Sequence, residues 1–458
     1  VVLFCCRHSS RQSEKDTEGG VLQMNMTDII VKKRNGGKLS DEEICYFIEE
    51  YTNGRIPDYQ ASALLMAIYF VKMDRDETYS LTRAMKNSGD IIDLSEIHGI
   101  KVDKHSTGGV GDKTTLIAAP IAASCGVSVA KMSGRGLGFT GGTIDKLESI
   151  PGMRTALERK EFADLVNECG IAVTGQTEQT AKADKLLYAL RDVTGTVENA
   201  SLIASSVMCK KLASGSDAIL LDVKCGSGAF MHTYEEACEL AEIMVDIGRG
   251  DGKRTAAAVT SMDQPLGNAV GNTLEVIEAI ETLKGKGPDD ITELSLRLAG
   301  LMIYLADKAP DPDSGADMAD QVLTSGAALA KFRDFTAGQG GDTRVIDDYS
   351  RLPQPCHTLE IHAEQTGFVR TLDAEMIGSA SQHTGAGREK KDDDVDLTAG
   401  IILNKKKGDA VRTGERLATL YGCDENRLKQ AEEECRRAFE ICRERPEKDS
   451  LIKTVIGI

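Results

Sequence analysis

The segment KHSTGGVGDKTT, residues 104–115, sets Lys104, His105 and Ser106 ahead of three glycines, with Thr114 and Thr115 behind them. It comes close to a nucleoside-triphosphate P-loop. In that loop the lysine directly follows the last glycine, whereas Asp112 here separates Gly111 from Lys113. An ATP-hydrolysing P-loop kinase is therefore not expected. The glycines allow close backbone approach, and a helix is expected from about residue 112 to 124. Free N–H groups at a helix N-terminus, with hydroxyls beside them and a lysine charge, form an anion site.

A second loop, KMSGRGLGFTGGT, residues 131–143, adds Lys131, Ser133 and Thr143. Within it, Gly136 to Gly141 match the dinucleotide pattern G-x-G-x-x-G, a weak signal alone. The next strand, GIAVTG, ends in Thr174 and Gly175 and lacks the acidic residue that holds a ribose. Glycines that serve tight turns alone would leave the Lys, Ser and Thr side chains unexplained. Two such loops facing one cleft point to a phosphate held from two sides. A third element carries Arg191, Ser206 and Lys210. Ser206 and Lys210 lie four apart, on one face of an expected helix. Solvated charges are the plainer alternative. The serine partner, the apolar surroundings of Ser206 and the position between β-loop-α units favour a site. A guanidinium can offer a planar donor fork to a planar acceptor such as a pyrimidine O4/N3 edge.

These residues need elements to hold them, and 458 residues suffice for two or three domains. The segment SDEE places Ser40 and Glu43 as a capping box, and Ile44, Phe47, Ile48 and Tyr51 follow at helical spacing up to Gly54. A second helix begins near Pro57, and a third covers about 76–86. Residues 24–96 are thus expected to form a small all-α domain, completed by the helical stretch 180–213. From Ile100 onward, short apolar runs end in glycine-rich turns that lead into helices. That alternation predicts an α/β domain over 97–179 and 214–350, a mostly parallel mixed sheet flanked by helices. Ligands bind beyond the carboxyl ends of such strands, which puts the active cleft between the domains.

Residues 351–458 are expected to form a C-terminal α+β domain with a helix over 425–445. Its segment TAGIILNKKKGDAVRTGERLATLYG is similar to the hammerhead of biotinyl and lipoyl domains. It lacks their central modified lysine, so a structural cap is expected rather than a carrier. The run REKKDDDVD reads as a solvated loop.

Composition removes several classes. Fifty-five basic against 72 acidic residues give a net charge of −17, which disfavours a general nucleic-acid surface. A few local cations can still create a positive cleft for a small anion. The absence of Trp weakens any base-stacking platform. The 12 cysteines are scattered without zinc spacing, as expected of reduced thiols in a cytoplasmic protein. The most apolar stretch, 116–130, is interrupted by Pro120, Ser124 and Gly126, so no membrane span is expected. The opening VVLFCC is too short for a signal peptide. Met24 or Met26 would be a natural start, and residues 1–23 are expected to be a disordered extension outside the fold.

The motifs KHSTGGVGDK, SGRGLGFTGGTIDKLESIPG, LYALRDVTGTV and DVKCGSGAFM occur in that order. From about Met24 onward the chain resembles the thymidine and pyrimidine-nucleoside phosphorylases. The form AKMSGRG resembles the bacterial pyrimidine-nucleoside phosphorylases that accept both uridine and thymidine; a strict thymidine phosphorylase is the alternative. The resemblance implies that Lys104, His105, Ser106, Thr115, Lys131, Met132, Ser133 and Thr143 bind phosphate. It implies that His105, Arg191, Ser206 and Lys210 hold the pyrimidine, with His105, Arg191 and Lys210 catalytic. It further implies a cleft that closes, a homodimer, inorganic phosphate as co-substrate and no organic cofactor.

Some members of the family bind potassium, and the matching positions are Gly111, Lys113, Leu266, Ala269 and Glu278. Lys113 replaces a small residue there, and Phe139 stands where many relatives carry His. The implied reaction is reversible phosphorolysis of uridine, thymidine and deoxyuridine to base and (2-deoxy)-α-D-ribose 1-phosphate, with inversion at C1′. His105 would donate a hydrogen bond or a proton toward O2, as a general acid near neutral pH. A phosphoribosyltransferase of the anthranilate type shares the domain plan, but would need acidic magnesium ligands that have no clear counterpart here. A non-catalytic nucleoside-binding protein would be expected to lose His105, Arg191 or Lys210, and all three are present.

Overall fold

Side-chain caps start most of the N-terminal helices. Asn25 caps α1 (Met26–Arg34), and the expected Ser40–Glu43 capping box opens α2 (Asp41–Thr52). Pro57 precedes α3 (Asp58–Val71), and a second capping box, Asp74 with Glu77, opens α4 (Arg75–Lys86). The structure, a computed structural model, describes residues 24–136, 141–177, 179–388 and 393–458. The expected extension 1–23, Phe139 and most of the 136–141 glycine motif lie outside the described residues. Four helices replace the three expected. α1 is short and ends in three basic residues, so its apolar signal is weak; it is tied down by the buried pair Lys33–Glu77 at 2.7 Å.

The α/β part then begins with β1 (Val102–Ser106), α5 (Thr114–Ser124), β2 (Val129–Ser133), α6 (Thr143–Glu148), α7 (Arg159–Cys169) and β3 (Ile171–Gly175). The chain crosses back through α8 (Lys182–Thr194) and α9 (Ala200–Ala213). As expected, these pack on the N-terminal helices: Leu187, Leu202 and Cys209 join Phe47, Leu65 and Ile68 in one core. The opposite face of α9, with Ala204, Met208 and Leu212, packs instead into the core of the α/β domain. One helix therefore belongs to both cores and carries Ser206 and Lys210 along the seam.

The sheet continues with β4 (Ala218–Cys225), α10 (Tyr234–Gly250) and β5 (Arg254–Ser261). β1, β4 and β5 run parallel, as do β2 and β3. The β2–β3 pair meets β1 through the Lys101–Ser128 bridge. The strands β4 and β5 are buried on both faces, as helices covering both sides of a parallel sheet require, and the charges they carry, Asp222 and Lys224, are paired internally. Next come β6 (Ala269–Val270), α11 (Asn272–Leu283), α12 (Asp289–Leu305), α13 (Pro312–Thr324) and α14 (Ala327–Gly338).

The C-terminal part holds β7 (His357–His362), β8 (Gly367–Leu372), α15 (Ala374–Ser381), β9 (Gly400–Leu403), β10 (Ala410–Val411), β11 (Arg416–Gly422), α16 (Glu425–Arg437), β12 (Phe439–Cys442) and β13 (Ile452–Ile456). Two antiparallel sheets form, ordered β6-β9-β11-β7 and β10-β8-β12. Two expectations are corrected here. The last helix stops at Arg437 rather than continuing to 445, because residues 439–442 pair with β8. The domain boundary is also crossed in both directions. β13 pairs antiparallel with β5 at the edge of the α/β sheet, and β6 pairs with β9 in the C-terminal sheet. No helix among the described residues is long and apolar enough to cross a membrane.

Candidate active site

β1 alternates its side chains as any strand does, and this sorts the first motif into two groups. Asp103 and His105 belong to one group. Asp103 accepts from Lys211 Nζ at 2.8 Å and lies 3.5 Å from Lys131 Nζ. Lys104 points elsewhere, beneath the glycine loop. It donates to Thr114 Oγ1 at 2.5 Å and lies 3.2 Å from Asp222 Oδ2. Lys224 completes that group at 2.8 Å from Asp222 Oδ2. Lys104, expected to bring a full charge to the anion site, is buried and ion-paired with Asp222 and Asp112. Asp112, the residue that broke the P-loop pattern, lies above this cluster and accepts from Thr114 Oγ1 at 2.5 Å. Burial opposes its ionisation. Lys104, Lys224 and hydrogen bonds from Ser106 and Thr114 outweigh it and hold the carboxyl well below its usual range.

A cleft of about 500 Å³ opens above these groups, beyond the carboxyl ends of β1 and β2. One wall carries His105, Ser106, Thr115, Lys131, Met132, Ser133 and Thr143. The facing wall, on α8 and α9, carries Arg191, Ser206 and Lys210. Of the expected phosphate and pyrimidine residues, Lys104 alone does not line the cleft. Lys210 donates to Asp184 Oδ2 at 2.5 Å and to Ser206 Oγ at 3.2 Å. Burial works against its charge, but Asp184 raises its pKa above the ordinary value.

Arg191 is more committed than a free fork. Its guanidinium donates to the carbonyls of Thr196 at 3.1 Å, Leu202 at 3.1 Å and Val197 at 2.7 Å. Two of its five N–H bonds stay available. Burial pushes it down to about 10. These bonds brace the turn between α8 and α9, so the residue both shapes and lines the cleft.

His105 differs from expectation in its protonation. Burial and the charges of Lys211, Lys131, Lys210 and Lys104 push it well below its usual range. At neutral pH the ring is uncharged, able to donate one N–H but not to act as an imidazolium acid. Lys131 is pushed down to about 8: burial lowers it, Asp103 opposes, and Lys211 and Lys104 lower it further.

Sequence reasoning missed Asp103, Lys211, Asp184 and Asp222. The only local signal was for Asp103, which stands directly beside Lys104, and for Lys211, directly beside Lys210; Asp184 and Asp222 adjoin no predicted site residue. Together, Lys104, Lys131, Arg191, Lys210, Lys211 and Lys224 converge on Asp103, Asp112, Asp184 and Asp222. The excess of two positive charges makes a local anion site on an acidic protein.

The five positions expected around potassium are also gathered. Lys113 Nζ donates to Leu266 O at 2.9 Å, Ala269 O at 2.8 Å and Glu278 Oε2 at 2.5 Å, beside Gly111.

A helical bundle and an α/β domain that meet over a cationic cleft define a glycosyl transferase architecture. Residues 27–89 match the family model for the glycosyl transferase family helical bundle domain, and residues 98–329 that for its a/b domain. Residues 368–442 match the pyrimidine nucleoside phosphorylase C-terminal domain. The pyrimidine-nucleoside phosphorylases of Staphylococcus haemolyticus and Bacillus subtilis are each 56% identical over 403 residues, covering 88% of this chain and 93% of theirs. That of Geobacillus stearothermophilus is 56% identical over 398 residues, covering 87% and 92%. The chain belongs to the pyrimidine-nucleoside phosphorylase family and is a pentosyltransferase. The crystal structure of anthranilate phosphoribosyltransferase from Thermus thermophilus aligns with a TM-score of 0.56 at 20% identity. It covers 68% of this chain and 99% of that one, a likeness of fold alone.

Proposed function

We propose that the protein catalyses reversible phosphorolysis of uridine, thymidine and deoxyuridine, giving the free base and (2-deoxy)-α-D-ribose 1-phosphate with inversion at C1′. The observation that carries this reading is the two-walled cleft. Hydroxyls and Lys131 gather on one side, and Arg191, Ser206 and Lys210 on the other.

In the reaction the C1′–N1 bond breaks and its electron pair leaves with the base. A phosphate oxygen forms the new bond from the opposite face of C1′, and the proton that hydrogenphosphate gives up ends on the departing base. Arg191 and Lys210 are positioned to stabilise charge that exists fully only as the base departs, which is differential transition-state binding. Neutral His105 donates its N–H toward O2 as a hydrogen bond. Ser106, Thr115, Lys131, Ser133 and Thr143, with the backbone at Met132, hold the phosphate. Holding both reactants makes attack effectively intramolecular. Because the two walls belong to different domains, closure brings them together. Lys104 acts indirectly, fixing Thr114 and the loop through its bonds.

We further infer a cytoplasmic homodimer. Tyr59 and Phe70 on α3 and Val193 on α8 are large apolar side chains of the helical domain left 74–79% exposed, which a second copy could cover. Light scattering at two concentrations tests this.

The first experiment is free-base release from uridine and from thymidine, each with and without phosphate. Phosphate-dependent release from both is expected. Release from thymidine alone would mark a strict thymidine phosphorylase, and release from neither would overturn the reading. A pH series gives a second test. With Lys131 at about 8 in the free protein, kcat/KM for phosphate is expected to fall above about pH 8 as its charge is lost. His105 contributes no inflection between pH 6 and 8. An acid limb removed by His105→Asn would contradict the neutral-ring assignment.

A further inference from the structure

Lys113 closes the glycine loop and immediately precedes α5, and its side chain is wholly buried. Its ammonium has three N–H bonds, and three acceptors face it: Leu266 O, Ala269 O and Glu278 Oε2. The cage is built around this approach. A Cβ on Gly111, at φ +71°, would lie 2.5 Å from Leu266 O. One on Gly267, at φ +67°, would lie 2.2 Å from Glu278 Oε2 and 2.9 Å from Lys113 Nζ. Glu278 also accepts the backbone N–H groups of Asn268 and Ala269 at 2.9–3.2 Å. It thus holds the lysine and the 266–269 segment together. That segment is zipped to the glycine loop by Leu266 N–H donating to Val110 O at 3.0 Å.

A potassium ion does not fit beside these groups. It would share two carbonyls and one carboxylate with an ammonium already in contact with all three. A second cation, from the loop between β9 and β10, already sits against the same segment. Lys406 donates to Gly267 O at 2.7 Å and Asp290 Oδ2 at 3.0 Å. Glu278 and Asp290 already balance the two ammonium groups, so a metal cation would enter without a counter-charge, at a high cost in a buried site.

We propose that Lys113 is a built-in monovalent cation. Its ammonium fills the carbonyl–carboxylate cage that joins the glycine loop to the 266–269 segment, and the protein neither binds nor requires potassium there. A tethered charge cannot dissociate, so the loop that presents Thr114 and Thr115 keeps its shape at any potassium concentration.

The test is thermal melting of the full chain in potassium chloride and in choline chloride at equal ionic strength, together with phosphorolysis rates in both. The wild type is expected to give the same Tm and rate in each. A potassium-specific rise in wild-type Tm would overturn the proposal. Lys113→Ala empties the cage while keeping its acceptors. It is expected to melt about 5 °C or more lower in choline, since a buried carboxylate loses its partner, and to recover most of that loss in potassium. Lys113→Met, which fills the space without charge, is expected to stay low in both salts. A folded Lys113→Ala that potassium fails to rescue would also overturn the proposal. If neither variant folds, the wild-type comparison decides. Melting reads this site whether or not the phosphorolysis assignment stands.

Discussion

Lys210→Met is expected to lower kcat for uridine and thymidine phosphorolysis about 10²–10³-fold, the usual loss when one donor to a developing anion is removed. KM for phosphate should change little, because Lys210 sits on the wall opposite the phosphate hydroxyls. The size follows from how the ammonium is held. Asp184 at 2.5 Å and Ser206 at 3.2 Å fix its direction before substrate arrives, so little reorganisation accompanies bond breaking. Asp184 is a positioning residue here, and Asp184→Asn separates charge from shape. Burial alone lowers Lys210, and Asp184 is what lifts it. Without that carboxylate, the alkaline limb of kcat should move to lower pH, while Lys210→Met should lack the limb altogether. An unchanged alkaline limb in Asp184→Asn would remove Asp184 from this role.

Asp103→Ala is expected to carry the largest stability loss. Asp103 is fully buried and is the carboxylate between Lys131 and Lys211, 3.5 Å from one ammonium and 2.8 Å from the other. Removing one partner of a buried ionic group costs about 3–5 kcal/mol, because the remaining charge is left uncompensated. The pH dependence has a definite sign. Lys131, already pushed down to about 8, loses the carboxylate that raises it. Its pKa in the folded variant then falls further below the ordinary lysine value. A lysine depressed in the folded state holds fewer protons there than when unfolded, so stability rises with pH through that interval. The Tm deficit of Asp103→Ala relative to wild type should therefore shrink between pH 7 and 9. A deficit constant across that range would mean that the lost hydrogen bonds, not the stranded charges, set the cost.

The parts of the site legible in the sequence were those whose geometry is local. Ser106, Thr115, Ser133 and Thr143 stand in or next to glycine-rich turns at strand ends, and such turns fall beside the cleft wherever the strands are placed. Ser206 and Lys210 share a helix face by spacing alone. What escaped was set by convergence of distant segments. Nothing near Lys104 indicates that Asp222, on β4, will neutralise it. Nor does the sequence around His105 show that four lysines from β1, β2 and α9 will surround the ring and keep it neutral. The fold divides similarly. Long amphipathic helices and buried parallel strands were readable, whereas β12 and β13 depend on the partners they pair with. A run such as Phe439–Cys442 fits the end of a helix equally well until β8 is placed beside it.

The pairing of β13 with β5 has a consequence for how the protein is made. Some 190 residues separate the two strands, and the whole C-terminal part is synthesised between them. Until Ile452–Ile456 emerge from the ribosome, β5 presents an unpaired outer edge, the kind of surface that recruits strands from other chains. The C-terminal sheets, whose remaining strands lie within 357–442, can assemble first around β6 and carry the closing strand into place. Co-translational folding of the α/β domain is thus a two-stage process, and a nascent chain stalled before residue 452 would be the aggregation-prone species.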